Sequence, residues 1–531
     1  MVVLFVSGLI FFLPPTVNML LGQADISPDR MSGLTPLLRA AKGGNEEAVA
    51  MLLEQGDVDP NAANKHGRTP LFMAARKGHE GVVKILLGWN DITFGSAAAD
   101  GRVTLLGAPL VGDQGIEEMH LERKKVNPNT MDEDGRTPLF IAAAKGHDGV
   151  VKMLLERNDV NPNIANHYSQ TPLFVAAEAG HELIVKMLLE HVDINPNTVD
   201  YSGEIPLLVA ASEGHEGVVK RLLSREDANP NTVNEYGETP LAAAVGNGHE
   251  GVVKVLLEYK DVNPNIACHF YGQTPLFIAA EEGHEGVVKT LLERMDLNPN
   301  TTNKSGRTPL YIAAHNGHKE VVKVLLERND IDPNATDCGR TPLLAAAGEQ
   351  HEEIMETLLE DVRVNPNVAD VLGRTPLFLA AKLDYKRVVE MLLARDDVDP
   401  NTPTEYGQSP LSKAARKGHE EVVKMLLRRS DLNPNNFDDC GETPLLAAVS
   451  EGHVGVVKIL LERADVDSDL RGLTGAKALV QARERGHDAL VEFLSEHRSL
   501  PPRLFQDEFT VKISQARYDP NQPPSKRCRR I

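Results

Sequence analysis

Three groups of residues in this sequence have the types and spacings that chemistry uses. Residues 246–251 read Gly-Asn-Gly-His-Glu-Gly. That is the G-x-G-x-x-G arrangement whose glycines bring backbone close to a pyrophosphate at a helix N-terminus. The run His79-Glu80-Gly81-Val82-Val83 opens as a zinc-protease helix does, with His followed by Glu. Four cysteines, Cys268, Cys338, Cys440 and Cys528, are candidates for pairing or metal ligation. Each chemistry demands a placement. The dinucleotide loop needs a strand before it and a helix after it. The zinc helix needs a second His four residues on, where Val83 stands. Cysteines pair only when their Cα atoms come within about 7 Å.

The histidines reveal the placement. Eleven of the 18 stand at 79, 147, 181, 215, 249, 284, 318, 351, 419, 453 and 487, and Asn45, Asp113 and Tyr385 fill the missing marks. Every step is 34 residues except one of 35 (249 to 284) and one of 33 (318 to 351), which gives fourteen repeats. Residues 135–163, GRTPLFIAAAKGHDGVVKMLLERNDVNPN, show the shared pattern. Thr-Pro opens a helix, Thr as cap and Pro at the first helical position. Leu139, Ala142 and Ala143 follow at helical spacing, and Gly146 breaks the helix. A second helix carries Val150, Val151, Leu154 and Leu155 on one stripe. Asp-Val-Asn-Pro-Asn then reads as an extended turn. One such repeat cannot bury its stripe alone, whereas stacked neighbours bury it for each other.

Thr-Pro-Leu, Ala-Ala, Gly-His, Val-Val and Leu-Leu in this order resemble the ankyrin repeat, over about residues 33–500. The resemblance implies an all-α ankyrin-repeat solenoid of about 14 helix-turn-helix repeats with β-like finger loops. Two departures stand out. The His that the family carries after Thr-Pro-Leu is replaced by Phe72, Phe140, Phe174, Phe277, Tyr311, Phe378 or a smaller residue. The Gly after the second helix is missing from most repeats, and the loop carries [Asn/Asp]-Pro-Asn eleven times. Such loops are similar to those of long ankyrin proteins from filamentous fungi, some of which are the sensor end of a receptor with a nucleotide-binding switch domain.

Within this frame the chemistry dissolves. Gly248-His249 is the seventh mark of the ruler, Gly251 matches Gly81, Gly149, Gly217, Gly286 and Gly455, and only Gly246 is peculiar to its repeat. The run lies in a turn between helices, with no strand before it. Helix layers pack about 8–10 Å apart, whereas zinc ligands converge within about 2 Å of one ion. The histidines therefore read as turn and capping residues. Cys338 and Cys440 occupy one finger position three repeats apart, too far to pair. No catalytic, cofactor-binding or metal-binding residue is expected, and the chain reads as a non-enzyme.

Net charge is −20, which disfavours nucleic acid and anionic membrane. The exception is Arg498–Ile531, with eight Lys or Arg against three Asp or Glu, net +5, leaving −25 on the preceding 497 residues. Residues 501–531 form a basic tail expected to be disordered. Its Lys526, Arg527, Arg529 and Arg530 read as a solvated end or as a nuclear-import or acidic-partner peptide. Residues 1–32 are apolar, with no charge before Asp25. They read as a secretory signal, a membrane anchor, a start set upstream of Met31, or an apolar cap on the first repeat. The sparse cysteines favour a reducing, cytoplasmic compartment.

The third repeat, 101–134, is degenerate. Val103-Thr104 replaces Thr-Pro, Pro109 falls inside the first helix, and Glu117 and His120 take buried Val and Leu positions. Decay and a deliberate hinge are the two readings, and both predict a weak joint between repeats 1–2 and the rest.

In a solenoid the non-consensus surface positions face partners. Tyr168, Tyr236, Tyr271 and Tyr406 stand at one finger position, Tyr201 stands one residue earlier, and Phe270 fills the one finger with an extra residue. Exposed tyrosines are favoured interface anchors; the alternative is that each ring packs on the next finger. Along the inner face, Arg68, Arg76 and Lys77 are basic. Glu178, Glu204, Glu213, Glu238, Glu281 and Glu282 make an acidic middle, and Arg374, Lys382, Arg416 and Lys417 return to basic. The expected site is Tyr168, Tyr201, Tyr236, Phe270 and Tyr271 with Glu178, Glu213, Glu281 and Glu282. The expected partner is a protein with a basic, partly apolar segment, bound by a monomeric scaffold or recognition array. The alternatives are the recognition module of an immune-type receptor without its switch domain, and a secreted or membrane-held effector.

Overall fold

One local pattern, repeated, builds the fold. The computed structural model describes residues 5–6, 9–10, 34–54, 58–88, 125–337, 339–467, 480 and 482–496. In repeat 4, Thr137 is extended before helix Pro138–Lys145, and its hydroxyl accepts a hydrogen bond from the Phe140 amide at 3.1 Å. That satisfies one of the amides a helix N-terminus leaves open, and Pro138 has none to satisfy. The helix ends at Gly146, whose φ of 74° returns its amide to the Ala142 and Ala143 carbonyls. The second helix, Asp148–Leu155, fully buries Val150, Val151 and Leu154, whereas Leu155 is half-buried. Each fully buried Val or Leu contributes roughly 1.5–3 kcal/mol. In repeat 6 the cap is Ile205, which makes no side-chain bond to helix Pro206–Ser212 and is buried instead.

The contacts fall into two compact units, Met1–Phe270 and Tyr271–Ile531. Within each, first helices pack in a row, and each also packs on its own second helix. The fingers bond backbone to backbone, as Tyr201 N donates to Tyr168 O at 3.1 Å and Glu235 N to Ser202 O at 3.1 Å. Among the described residues the only strands are Phe5–Val6 and Leu9–Ile10, paired antiparallel in the apolar N-terminal segment. The rest of residues 1–32, with Asp25 and Met31, lies outside the described residues, as does the basic tail with Lys526, Arg527, Cys528, Arg529 and Arg530. No helix among the described residues is long and apolar enough to cross a membrane.

The stacking on either side of repeat 3 differs from the sequence expectation. Residues 101–124, with Val103, Thr104, Pro109, Glu117 and His120, lie outside the described residues. Repeats 2 and 4 nevertheless meet directly. His147 Nε2 lies 3.1 Å from Arg76 O, the same bond that His79 makes to Lys42 O at 3.1 Å. Asn61 Nδ2 donates to Lys125 O at 2.6 Å, Asn127 N donates to Asn61 Oδ1 at 2.8 Å, and Glu133 N donates to His66 O at 3.0 Å. Residues 125–134, which the ruler assigns to repeat 3, serve as the loop and finger of repeat 4. Ordinary inter-repeat bonds thus join repeats 2 and 4 directly, at the place where the sequence predicts a weak joint. Near-identical repeats present the same face, so one can seat on its second neighbour as well as on its first. Replacing residues 89–124 with a flexible Gly/Ser linker is therefore expected to change stability by less than about 1 kcal/mol, since closure entropy varies slowly with length. Thermal and urea melts of the full chain check this. A loss of several kcal/mol would show that the segment holds the two repeats together.

Candidate functional site

The glycine run that suggested a nucleotide is accounted for by packing. Gly246 ends helix Pro240–Gly246, so a helix and not a strand precedes the loop. Gly248 sits at φ 71°. A Cβ on Gly251 would lie 2.9 Å from Glu216 Oε2 of the preceding repeat, and the same glutamate position faces Gly149 and Gly217. Turn geometry and the packed glutamate thus specify two of the three glycines.

The histidines do not cap their own helices, which corrects part of the sequence reading: the helices that they open receive no side-chain bond from them. Within each unit, rings reach back to the first helix of the repeat packed before them. Nε2 lies 2.9 Å from the carbonyl in His215–Glu178, His249–Ser212 and His318–Glu281, 3.1 Å in His419–Lys382 and 3.0 Å in His453–Arg416. A carbonyl only accepts, so Nε2 carries the hydrogen in each pair. Four of these carbonyls belong to Glu178, Glu281, Lys382 and Arg416. The ladder thus fixes the charged inner ends of the first helices. Among the described residues, no group of three His, Cys, Asp or Glu is placed to hold a metal ion.

In the first unit, Tyr168, Tyr201, Tyr236 and Phe270 are 63%, 68%, 56% and 63% exposed. Tyr236 and Phe270 meet with ring centroids 6.1 Å apart at 42°. Glu204 ties this row to the inner face. It lies in the finger of Tyr201, where Asp200 Oδ1 accepts from Ser202 N at 2.8 Å and from Glu204 N at 2.9 Å. Partial loss of water, then Glu213 and Asp200, raises the Glu178 carboxyl above its ordinary value although the side chain is exposed. Partial burial, then Asp200, raises that of Glu204, with Glu238 and Glu178 adding repulsion. Glu178, Glu204 and Glu213 are therefore one electrostatic cluster beside exposed tyrosines.

In the second unit, Tyr271 is 68% exposed and Glu282 is exposed. Glu281 is half-buried and accepts from Gln273 Nε2 at 2.7 Å. Burial, then Glu282, raises its carboxyl. Tyr406 is half-buried, unlike the other finger tyrosines. Of the cysteines, Cys268 is half-buried and Cys440 exposed, while Cys338 lies outside the described residues.

Two devices escaped the sequence reading. Within each unit, the second Asn of the Asn-Pro-Asn loop is an inter-repeat clip. Asn231 Nδ2 donates to Asp261 O at 2.7 Å, and its Oδ1 accepts from Asn263 N at 2.9 Å. The first Asn folds the loop, as Asn229 Oδ1 accepts from Asn231 N at 3.0 Å. The sequons at Asn300 and Asn334 belong to this ladder, with Nδ2 bonded to Asp330 O at 2.6 Å and to Arg363 O at 2.8 Å. A glycan on either nitrogen would break a clip. The missing C-terminal Gly is replaced by an Arg-x-Asp fork: Arg429 is held by Asp431 at 2.6 Å and donates to Leu393 O of the preceding repeat at 3.1 Å. Recurrence of Arg-x-Asp just after the second helix was the available signal.

A family model described as ankyrin repeats (3 copies) matches residues 12–95, 110–200, 207–303, 261–337, 295–370, 331–404, 362–438 and 431–502. No curated protein matches the chain.

Proposed function

The chain belongs to the ankyrin-repeat family, whose repeats are protein–protein interaction modules, and we propose that it is a non-enzymatic, cytoplasmic scaffold binding partners through fingers and inner face. In the first unit the proposed site is Tyr168, Tyr201, Tyr236 and Phe270 with Glu178, Glu204 and Glu213. In the second unit Tyr271, Glu281 and Glu282 extend the same chemistry. The partner is a protein with a basic, partly apolar segment. The observation that carries this reading is the raised Glu178–Glu204 cluster beside exposed aromatic rings. A cationic segment would relieve the repulsion, and the rings would supply apolar contact.

The test is mass spectrometry of proteins co-purifying with the tagged chain, beside a Tyr168/Tyr201/Tyr236→Ala variant shown to fold by its melting curve. The expected result is loss of a wild-type partner, while identical lists would sink the proposal. Glu178→Gln with Glu213→Gln is expected to weaken that partner about tenfold, more at low salt than at high. The pH sense is fixed. Below the ordinary carboxylate range, Glu178 is protonated whether folded or unfolded and contributes nothing. As pH rises through its raised folded value, ionisation costs the fold stability, and the doubly substituted chain escapes that cost. Partner affinity runs the other way, rising with pH over the same window.

A further inference from the structure

A groove between repeats 1 and 2 is lined by charge of one sign. It is open, about 430 Å3 in volume, and bordered by Lys42 of helix Pro36–Gly43, by Arg76 and Lys77 of helix Pro70–Lys77, and by Lys65, His66 and Arg68 of the finger between those helices. No carboxylate lines it. Its apolar part is Leu34, half-buried, and Met73, buried. Backbone contacts hold the walls. Asn64 Oδ1 accepts from His66 N at 2.9 Å and from Arg68 N at 3.1 Å, and the Lys42 and Arg76 carbonyls are those that His79 and His147 hold.

The corresponding grooves of later repeats carry their own counter-charges. Arg416 and Lys417 hold the positions of Arg76 and Lys77. There Asp438, Asp439, Glu442 and Glu451 line the groove with them, and Arg416 is paired with Glu442 and lies 3.6 Å from Asp438. Glu349 and Asp370 line the groove of Arg340, Arg374 and Lys382. In the finger that follows repeat 2, the position of Glu442 is filled by Arg136, a further cation. The three acids of that finger are engaged: Asp132 by Arg136 at 2.7 Å and by Arg68 at 3.4 Å, Asp134 by Arg136, and Glu133 by His66 at 2.6 Å. Lys42, Arg76 and Lys77 form no ion pair among the described residues.

We infer that this groove is a docking site for an acidic protein segment in which carboxylates flank an apolar side chain. The Arg76 guanidinium and the Lys42 and Lys77 ammonium groups supply donors for the carboxylates. Leu34 and Met73 supply the apolar contact. A nucleic acid long enough to bind there would run on over a chain of net charge −20. The groove shares no residue with the acidic surface proposed above and takes the opposite charge, so neither proposal rests on the other.

The test is fluorescence anisotropy of the full chain with a labelled Glu-Glu-Leu-Glu-Glu peptide, its Gln-Gln-Leu-Gln-Gln counterpart, and a single-stranded DNA oligonucleotide as competitor. The Glu peptide is expected to bind about tenfold more tightly than the Gln peptide, and to weaken as salt rises. Arg76→Gln should lower its affinity about tenfold, the scale of one charge-assisted hydrogen bond, and Lys42→Gln should act in the same direction. Both variants keep the backbone carbonyls on which the stack depends, so their melting midpoints should match wild type. Arg136→Glu sets after repeat 2 the carboxylate that Glu442 supplies after repeat 12. It is expected to weaken the peptide as much as Arg76→Gln does, although Arg136 does not line the groove. Arg416→Gln is the control and should leave the affinity unchanged. Equal binding of the two peptides would overturn the inference, as would unchanged affinity in Arg76→Gln. Displacement of the peptide by the oligonucleotide at equal concentration would also overturn it, in favour of a general polyanion surface.

Discussion

Replacing Gly418 by Ala is expected to destabilise the second unit by about 3 kcal/mol, whereas Gly348→Ala should stabilise it by about 0.5 kcal/mol. Gly418 has φ 78°, and a Cβ there would lie 2.6 Å from His453 Nδ1 and 2.8 Å from His453 Cε1. The left-handed backbone costs an L-residue roughly 1–2 kcal/mol. The displaced ring also gives up its bond to Arg416 O, worth about 1 kcal/mol, and its packing. Gly348 ends helix Pro342–Gly348, has no positive φ, and a Cβ there meets nothing within 4 Å. Adding a methyl there only restricts the unfolded chain. Urea melts of the two variants give the signs. Hydrogen exchange should show the Gly418→Ala loss concentrated in repeats 12 and 13, because a solenoid opens locally. Equal effects at both positions would mean that the His–Gly contact carries no energy.

Asn231 gives the second large effect. Asn231→Ala is expected to cost about 1–2 kcal/mol, as it leaves Asn263 N and Asp261 O without their partner. Asn231→Asp should cost more at neutral pH. It keeps the acceptor for Asn263 N but sets a carboxylate against the Asp261 carbonyl, two acceptors with no hydrogen between them. Acidification should recover part of that loss, because a protonated Asp donates. Melts at neutral pH and near pH 4 check this, and an Asp variant as stable as Asn at neutral pH would remove the clip as a stabilising device.

The fold was legible because the period, the Thr-Pro caps and the Val-Val/Leu-Leu stripe are local signals, repeated until chance is excluded. Thr137, Gly146 and Val150 do in the structure what their residue types require. The inter-repeat devices were hidden because their partners lie about one repeat away in sequence. The roles of His215, Asn231 and Arg429 depend on which carbonyl the stack brings to them. The candidate surface was half legible. Finger tyrosines and inner glutamates could be placed from the repeat register, but not that Tyr406 is half-buried or that Glu178 and Glu204 share one field.

By itself the sequence determined the repeat, its helices and its caps, since those depend on neighbours within a few residues. Which repeat touches which was decided by tertiary structure alone. The even ruler placed repeat 3 between repeats 2 and 4, yet His147 bonds Arg76 across it. The physical reason is that stacking reads surfaces rather than sequence order, and repeats with nearly the same surface are interchangeable as neighbours.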